Sequence, residues 1–265
     1  MPASPVRFIF IMAVPRTGSS HLTRLLRNCE PLSVKAELFH PRSIELPVED
    51  ILALAARSGG SITDDASLCV WRRDHPRETL ESLFQAGGGR IVVAKIFAFH
   101  LSQQQLADAI FSHGDAVYLV LRRRPIESYI SGLKANSIGG FGRIDTTSTK
   151  ATLAPEDFRK WAVRIRRWYE WLDGELRSRG LPHASISYES ELDGISNRDA
   201  LSGVLRKLEA MGVPHLDVPQ SLLAGQRQDR EQDYRSRVAN WPEFEHELRS
   251  HPNHATVLDW AEAAP

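Results

Sequence analysis

Residues Val14-Pro15-Arg16-Thr17-Gly18-Ser19-Ser20-His21 are the part of this sequence best suited to chemistry. They follow the apolar run Phe8-Ile9-Phe10-Ile11-Met12-Ala13 and precede Leu22, Leu25, Leu26 and Cys29 at helical spacing. A strand, a tight turn with a glycine and a helix start direct several backbone N–H groups and the positive end of a helix dipole at one point. Such a cradle binds phosphate or sulfate. Set against a Walker loop, Gly18 and Ser20 match the second glycine and the hydroxyl, whereas Ala13 replaces the first glycine and Ser19 the lysine. A nucleoside triphosphatase uses that lysine on the terminal phosphates and a strand-end acid to hold magnesium. Here a later apolar run ends Val120-Leu121-Arg122-Arg123-Arg124-Pro125, with arginines where such an acid would stand. No metal site is visible in the sequence, and cations at two strand ends suit a donor carrying two separate anionic groups.

The elements that must position these residues follow from periodicity. Near-continuous apolar runs predict strands over 6–14, 90–97, 115–121 and 184–188. Helical patterns cover 19–28, 102–112, 125–135, 155–179 and, as the last helix, 198–211. Strands alternating with helices, each strand a near-continuous apolar run, predict an α/β fold with a central parallel sheet flanked by helices. In such sheets ligands bind at the carboxyl ends of strands. The Gly-, Ser- and Thr-rich stretch 136–154 and the polar stretch 220–237 read as candidate mobile loops. Trp161, Trp168 and Trp171 lie at helical spacing, which favours core packing over sugar stacking.

Composition narrows the function classes. The 265 residues carry 33 Lys+Arg and 33 Asp+Glu, a formal net charge of +0. That balance argues against bulk electrostatic binding to nucleic acid or an acidic membrane. Any anion site must therefore be local. The apolar run at 8–14 is far shorter than a bilayer span and is followed by Pro15-Arg16 without a small-residue cleavage pattern, so it reads as a buried strand. Cys29 and Cys69 show no metal-like or redox-like spacing, which suits free thiols in a reducing cytoplasm.

On these residues the sequence resembles the sulfotransferases that use 3′-phosphoadenosine 5′-phosphosulfate (PAPS). The stretch Pro15-Arg16-Thr17-Gly18-Ser19-Ser20 is similar to their 5′-phosphosulfate loop, with Arg16 at the basic residue that touches the leaving oxygen. Arg123-Arg124-Pro125-Ile126-Glu127-Ser128-Tyr129-Ile130-Ser131 is similar to their 3′-phosphate motif, in which Arg123 and Ser131 fill the binding places. Ser187-Tyr188-Glu189 resembles the Tyr-Glu-containing fourth strand. Arg237-Val238-Ala239-Asn240-Trp241-Pro242-Glu243-Phe244 partly matches the cofactor-closing C-terminal loop, expected over about 225–244, with Ala239 and Asn240 in place of Gly and Asp and Arg235 left from a basic pair.

Within the family the likeness is to the bacterial carbohydrate and small-metabolite branch, of trehalose and nodulation-factor type, through Glu37-Leu38-Phe39 after the first helix. The Lys-Thr-His of the animal cytosolic branch is here Lys95-Ile96-Phe97.

The resemblance implies one P-loop-like three-layer domain over 1–265. It also implies PAPS as donor with the 3′,5′-bisphosphate PAP as product, no metal, and a small-molecule hydroxyl acceptor. Neither a nucleic-acid partner nor stable membrane insertion is expected, and some relatives suggest a homodimer. Glu37 is then the base, Arg16 stabilises the leaving phosphate, and Lys95 the sulfuryl oxygens. Arg16, Thr17, Gly18, Ser19, Ser20, His21, Arg123, Ser131, Arg235 and Arg237 would hold the donor. His40 and His100 are rival bases, because a neutral imidazole takes a proton near pH 7. Two other functions stay open: a nucleotide-binding protein without catalysis, and a P-loop small-molecule kinase.

Overall fold

The computed structural model describes residues 5–139, 145–222, 231 and 233–250. Five parallel strands form one sheet in the order β2-β3-β1-β4-β5. They are β1 (Phe8–Ala13), β2 (Leu32–Val34), β3 (Ile91–Phe97), β4 (Ala116–Arg122) and β5 (His183–Ser187). The helices in chain order are α1 (Ser19–Leu26), α2 (Val48–Arg57), α3 (Asp65–Asp74), α4 (Pro76–Ala86) and α5 (Gln103–Gln105), the last running into a π-helical turn, Leu106–Ile110. After them come α6 (Pro125–Ser137), α7 (Pro155–Ser178), α8 (Tyr188–Glu191), α9 (Asn197–Ala210), α10 (Tyr234–Arg237) and α11 (Trp241–Arg249).

Every residue of β1 and β3 is buried, as expected for strands covered on both faces. Alternation along β1 separates two cores. Phe8, Phe10 and Met12 pack with α4, the π-helical turn and α7, whereas Ile9, Ile11 and Ala13 pack with α1 and α9. Trp168 lies in the first core, with Trp161 and Trp171 packed partly buried against it, so these indoles are structural. A third core joins α6, α7 and α11 through Ile130, Phe158 and Phe244.

Chain order and sheet order together place the ligand crevice. From β1 the chain leaves toward β2 on one side, and from β4 toward β5 on the other. The neighbouring ends of β1 and β4 therefore flank the switch point where open α/β sheets bind ligands. Both anion motifs occupy these two ends.

Several elements depart from the sequence expectation. The edge strand β2 has only three residues, with Ser33 in its middle, and its pattern is too short to show a period. The last described helix is α11, not 198–211, so the C-terminal motif folds largely as helix. Within the supposed loop 136–154, Ala151 exchanges backbone hydrogen bonds with Arg237 and Ala239, at 2.9 and 2.8 Å. The Asn240 side chain bonds both the N–H and the carbonyl of Leu153. Residues 140–144 of that stretch, and 223–230 and 232 of 220–237, lie outside the described residues.

Candidate active site

The turn after β1 is built around two left-handed residues, Arg16 (φ 68°) and Gly18 (φ 84°). Thr17 is buried and its Oγ1 donates to the Val14 carbonyl at 2.8 Å, closing the turn from inside. Helix α1 then starts with no side-chain cap, leaving its first N–H groups directed at the loop. Ser19 is buried, whereas Ser20 is exposed and its Oγ accepts from Lys95 Nζ at 3.3 Å. His21 follows on α1, and burial pushes its imidazole below the usual histidine value.

The end of β4 closes on the same turn. Arg123 Nη1 donates to the Arg16 carbonyl at 2.9 Å, and Arg16 Nε donates to Ser131 Oγ at 3.0 Å. The two motifs, more than a hundred residues apart in sequence, are thus one hydrogen-bonded unit. Burial and the adjacent Arg123 charge both push the Arg16 guanidinium below its ordinary value. Two cations held this close favour an anion beside them. Arg123 lies over the Tyr188 ring, 4.5 Å from its centroid, and Glu189 Oε1 accepts the Arg124 N–H at 2.9 Å. The Tyr-Glu pair after β5 therefore braces the arginine turn.

Glu127, one turn into α6, binds Arg123 Nη2 at 3.3 Å with one oxygen and Arg237 Nη1 at 2.9 Å with the other. Arg237 is buried by this contact, while Arg235 on the same short helix is exposed. Arg122 turns away, pairing with Asp173 at 2.6 Å over the Tyr169 ring.

Glu37 comes from the end of β2. Pairing with β3 continues past that strand, Lys95 N–H donating to the Ala36 carbonyl at 2.7 Å, and Ala36 then takes a left-handed conformation (φ 45°). Ala36 and Arg16 are the two non-glycine residues with positive φ among the described residues, and both bound this site. The Glu37 carboxylate sits between Lys95 Nζ, 3.0 Å from Oε1, and His100 Nε2, 3.6 Å from Oε2. Burial works against its charge, but His100 and Lys95 outweigh it and hold Glu37 down at about 2. Lys95 is itself buried, not a solvated strand-end lysine, and joins the base candidate to the anion loop.

Both rival histidines have a ring nitrogen committed. His40 Nδ1 accepts the N–H groups of Arg42 and Ser43, at 3.2 and 2.9 Å, and His100 Nδ1 accepts that of Phe97 at 3.2 Å. A backbone N–H can only donate, so in each neutral ring the remaining proton is on Nε2.

The structure thus brings together Arg16, Thr17, Gly18, Ser19, Ser20, Lys95, Glu37, Arg123, Ser131 and Arg237. Two contributors were missed in the sequence. Glu127 was signalled by its i,i+4 spacing from Arg123 at a helix start. Arg72 carried no signal. It is fully buried and donates to the carbonyls of Leu38 and Ser43, at 2.7 and 3.1 Å, fixing the loop that carries Glu37.

No protein-family model matches the chain, and no curated protein does. Among solved structures the fold is similar to the sulfotransferase domain from the curacin biosynthetic pathway, with a TM-score of 0.49, 16% identity and coverage of 100% of this chain and 93% of that one. It is also similar to sulfotransferase STF1 from Mycobacterium tuberculosis H37Rv, with a TM-score of 0.45, 14% identity and coverage of 80% and 68%.

Proposed function

We propose that the protein transfers a sulfuryl group from PAPS to a hydroxyl of a carbohydrate or other small metabolite. The observation that carries this reading is the continuity from Ser131 through Arg16 and Arg123 at the β1 and β4 ends, beside Ser20, Lys95 and Glu37. A donor with a 5′ phosphosulfate and a 3′ phosphate needs two anion sites, and the acceptor hydroxyl needs a base next to the 5′ one.

The residues fit that donor. The uncapped start of α1, with Ser20 and Lys95, suits the 5′ group, and Arg123, Ser131 and Arg237 suit the 3′ phosphate. Bound there, the donor supplies a sulfuryl group attached to a phosphate leaving group. Arg16 and Lys95 place positive charge where the leaving and equatorial oxygens gather it. Glu37 accepts the acceptor's hydroxyl proton. Free of ligand it is a weak base, held at about 2. Lys95 is shared with Ser20, so an anion at the loop competes for its ammonium and moves Glu37 up toward useful basicity.

Thermal unfolding with adenosine 3′,5′-bisphosphate against AMP, ADP and ATP with magnesium tests the donor site. Ligand at about 100 times its Kd stabilises a protein by about 2.7 kcal/mol. A shift with the bisphosphate alone supports the reading, and a shift only with ATP and magnesium replaces it by a kinase. Glu37→Gln should keep the bisphosphate shift and lose sulfuryl transfer; retention of full transfer would remove Glu37 as the base, whereas a bisphosphate shift with no sulfuryl transfer by the unsubstituted protein would favour a non-catalytic nucleotide binder.

A further inference from the structure

We propose that His100 is the positioning residue of the Glu37 carboxylate, a neutral imidazole whose Nε2–H holds Oε2 while Oε1 stays on Lys95. The consequence for turnover rests on Glu37 being the base, but the geometry stands without it.

The argument begins with the main chain. A tight turn at the end of β3 returns His100 N–H to the Phe97 carbonyl at 3.0 Å, and Arg73 Nε fixes the His100 carbonyl at 3.0 Å. The same turn presents the Phe97 N–H to His100 Nδ1 at 3.2 Å. That bond assigns the tautomer, because Nδ1 must be the acceptor and Nε2 must carry the proton. The ring is completely buried, with Phe97 and Phe99 centroids at 5.0 and 4.9 Å and His40 at 5.7 Å.

The charged and titratable groups facing the ring are Glu37, Lys95 and His40. Burial outweighs the attraction of Glu37 and pushes the imidazole below its usual value, toward the neutral form. Nε2 has no hydrogen-bond partner among the described residues, and Glu37 Oε2 lies 3.6 Å from it, a short approach away from accepting its proton. A ring in this state has no available lone pair to act as a base. It can donate, which orients the carboxylate and supports its charge.

Nuclear magnetic resonance tests this on the intact chain, labelled with 15N in histidine and 13C in the glutamate carboxyl. His100 should show the neutral Nε2–H pattern near pH 7, and Glu37 should stay ionised down to about pH 4. In His100→Phe, which keeps an aromatic ring and removes both nitrogens, the Glu37 titration midpoint should rise by about one pH unit or more. His100→Gln, whose amide can donate to the same oxygen, should restore most of the difference.

An Nδ1–H tautomer, an imidazolium at pH 7, or an unchanged Glu37 midpoint in His100→Phe overturns the proposal. Should His100→Phe fail to fold, the wild-type tautomer and the Gln variant decide. No nucleotide or acceptor enters these measurements, so a failed bisphosphate shift would refute the donor reading and leave this one standing.

Discussion

The ring of Tyr188 occupies the space a β-carbon would need at Gly18. A Cβ there would lie 2.2 Å from both Cδ2 and Cε2 of Tyr188, and the glycine also holds φ at 84°. One residue from the end of β5 thereby sets the shape of the anion loop after β1. Gly18→Ala meets both obstacles and should cost more than about 2 kcal/mol in denaturant unfolding. In a Tyr188→Ala background the clash is gone but the backbone term stays, so adding Gly18→Ala there should cost only about 1 kcal/mol. Additive losses would mean that the ring and the loop do not touch in solution.

Glu127 stands between two arginines at the place where a phosphate is proposed to bind. Its replacement by Gln leaves Arg237, buried, beside a neutral amide, and should destabilise the protein by about 1–3 kcal/mol. Adenosine 3′,5′-bisphosphate should then stabilise Glu127→Gln by a larger increment than it does the wild type, because the ligand replaces the missing charge. Equal increments in the two thermal titrations would show that Glu127 and the phosphate do not share these arginines.

How much of this was legible beforehand depended on burial and length. Strands β1, β3 and β4 are near-continuous apolar runs, interrupted by Lys95 in β3 and ended by Arg122 in β4, because helices cover both sides, so they read directly from the chain. Helices α2, α3 and α4 lie between the expected helix 19–28 and strand 90–97, where no element is expected, because short amphipathic segments with exposed Val48, Leu52 and Val70 blur the period. At the site, the anion loop and Arg123 were legible because glycine, hydroxyl and arginine spacing reports local backbone shape. The ion pair between Lys95 and Glu37 was not, since it depends on β2 and β3 being neighbours, a relation that no local pattern contains. The tautomers of His40 and His100 depend on turns of three or four residues and are equally invisible in one dimension.

Arg72 is a buried guanidinium that serves carbonyl oxygens, and burial pushes it below its ordinary value. Besides Leu38 and Ser43 it reaches Cys69 Sγ at 3.2 Å. Arg72→Met keeps much of the volume and strips hydrogen bonds from two carbonyls of the Glu37 loop, at a cost of about 2–4 kcal/mol. Amide hydrogen exchange should rise across 37–43 and not at the β1 turn. Bisphosphate binding should survive while turnover falls. Unchanged exchange at 37–43 would show that this arginine does not hold the loop.

His113 lies at the opposite, amino end of the sheet, buried against Phe8 with ring centroids 4.7 Å apart. Burial pushes it below its usual value, with Asp115, whose Oδ1 is 3.5 Å from Nδ1, pulling the other way. A lowered value means that below about pH 6.5 the unfolded chain binds a proton that the folded chain refuses, so stability falls as the pH drops from there toward the folded value. The slope from one such group is at most about 1.4 kcal/mol per pH unit. His21 and His100 shift in the same direction and add to it. His113→Gln should therefore flatten the dependence of unfolding free energy on pH between about 5 and 6.5 without abolishing it. Denaturant titrations at half-unit intervals would measure the slope directly, and an identical slope in the variant would mean that His113 keeps its proton affinity on folding.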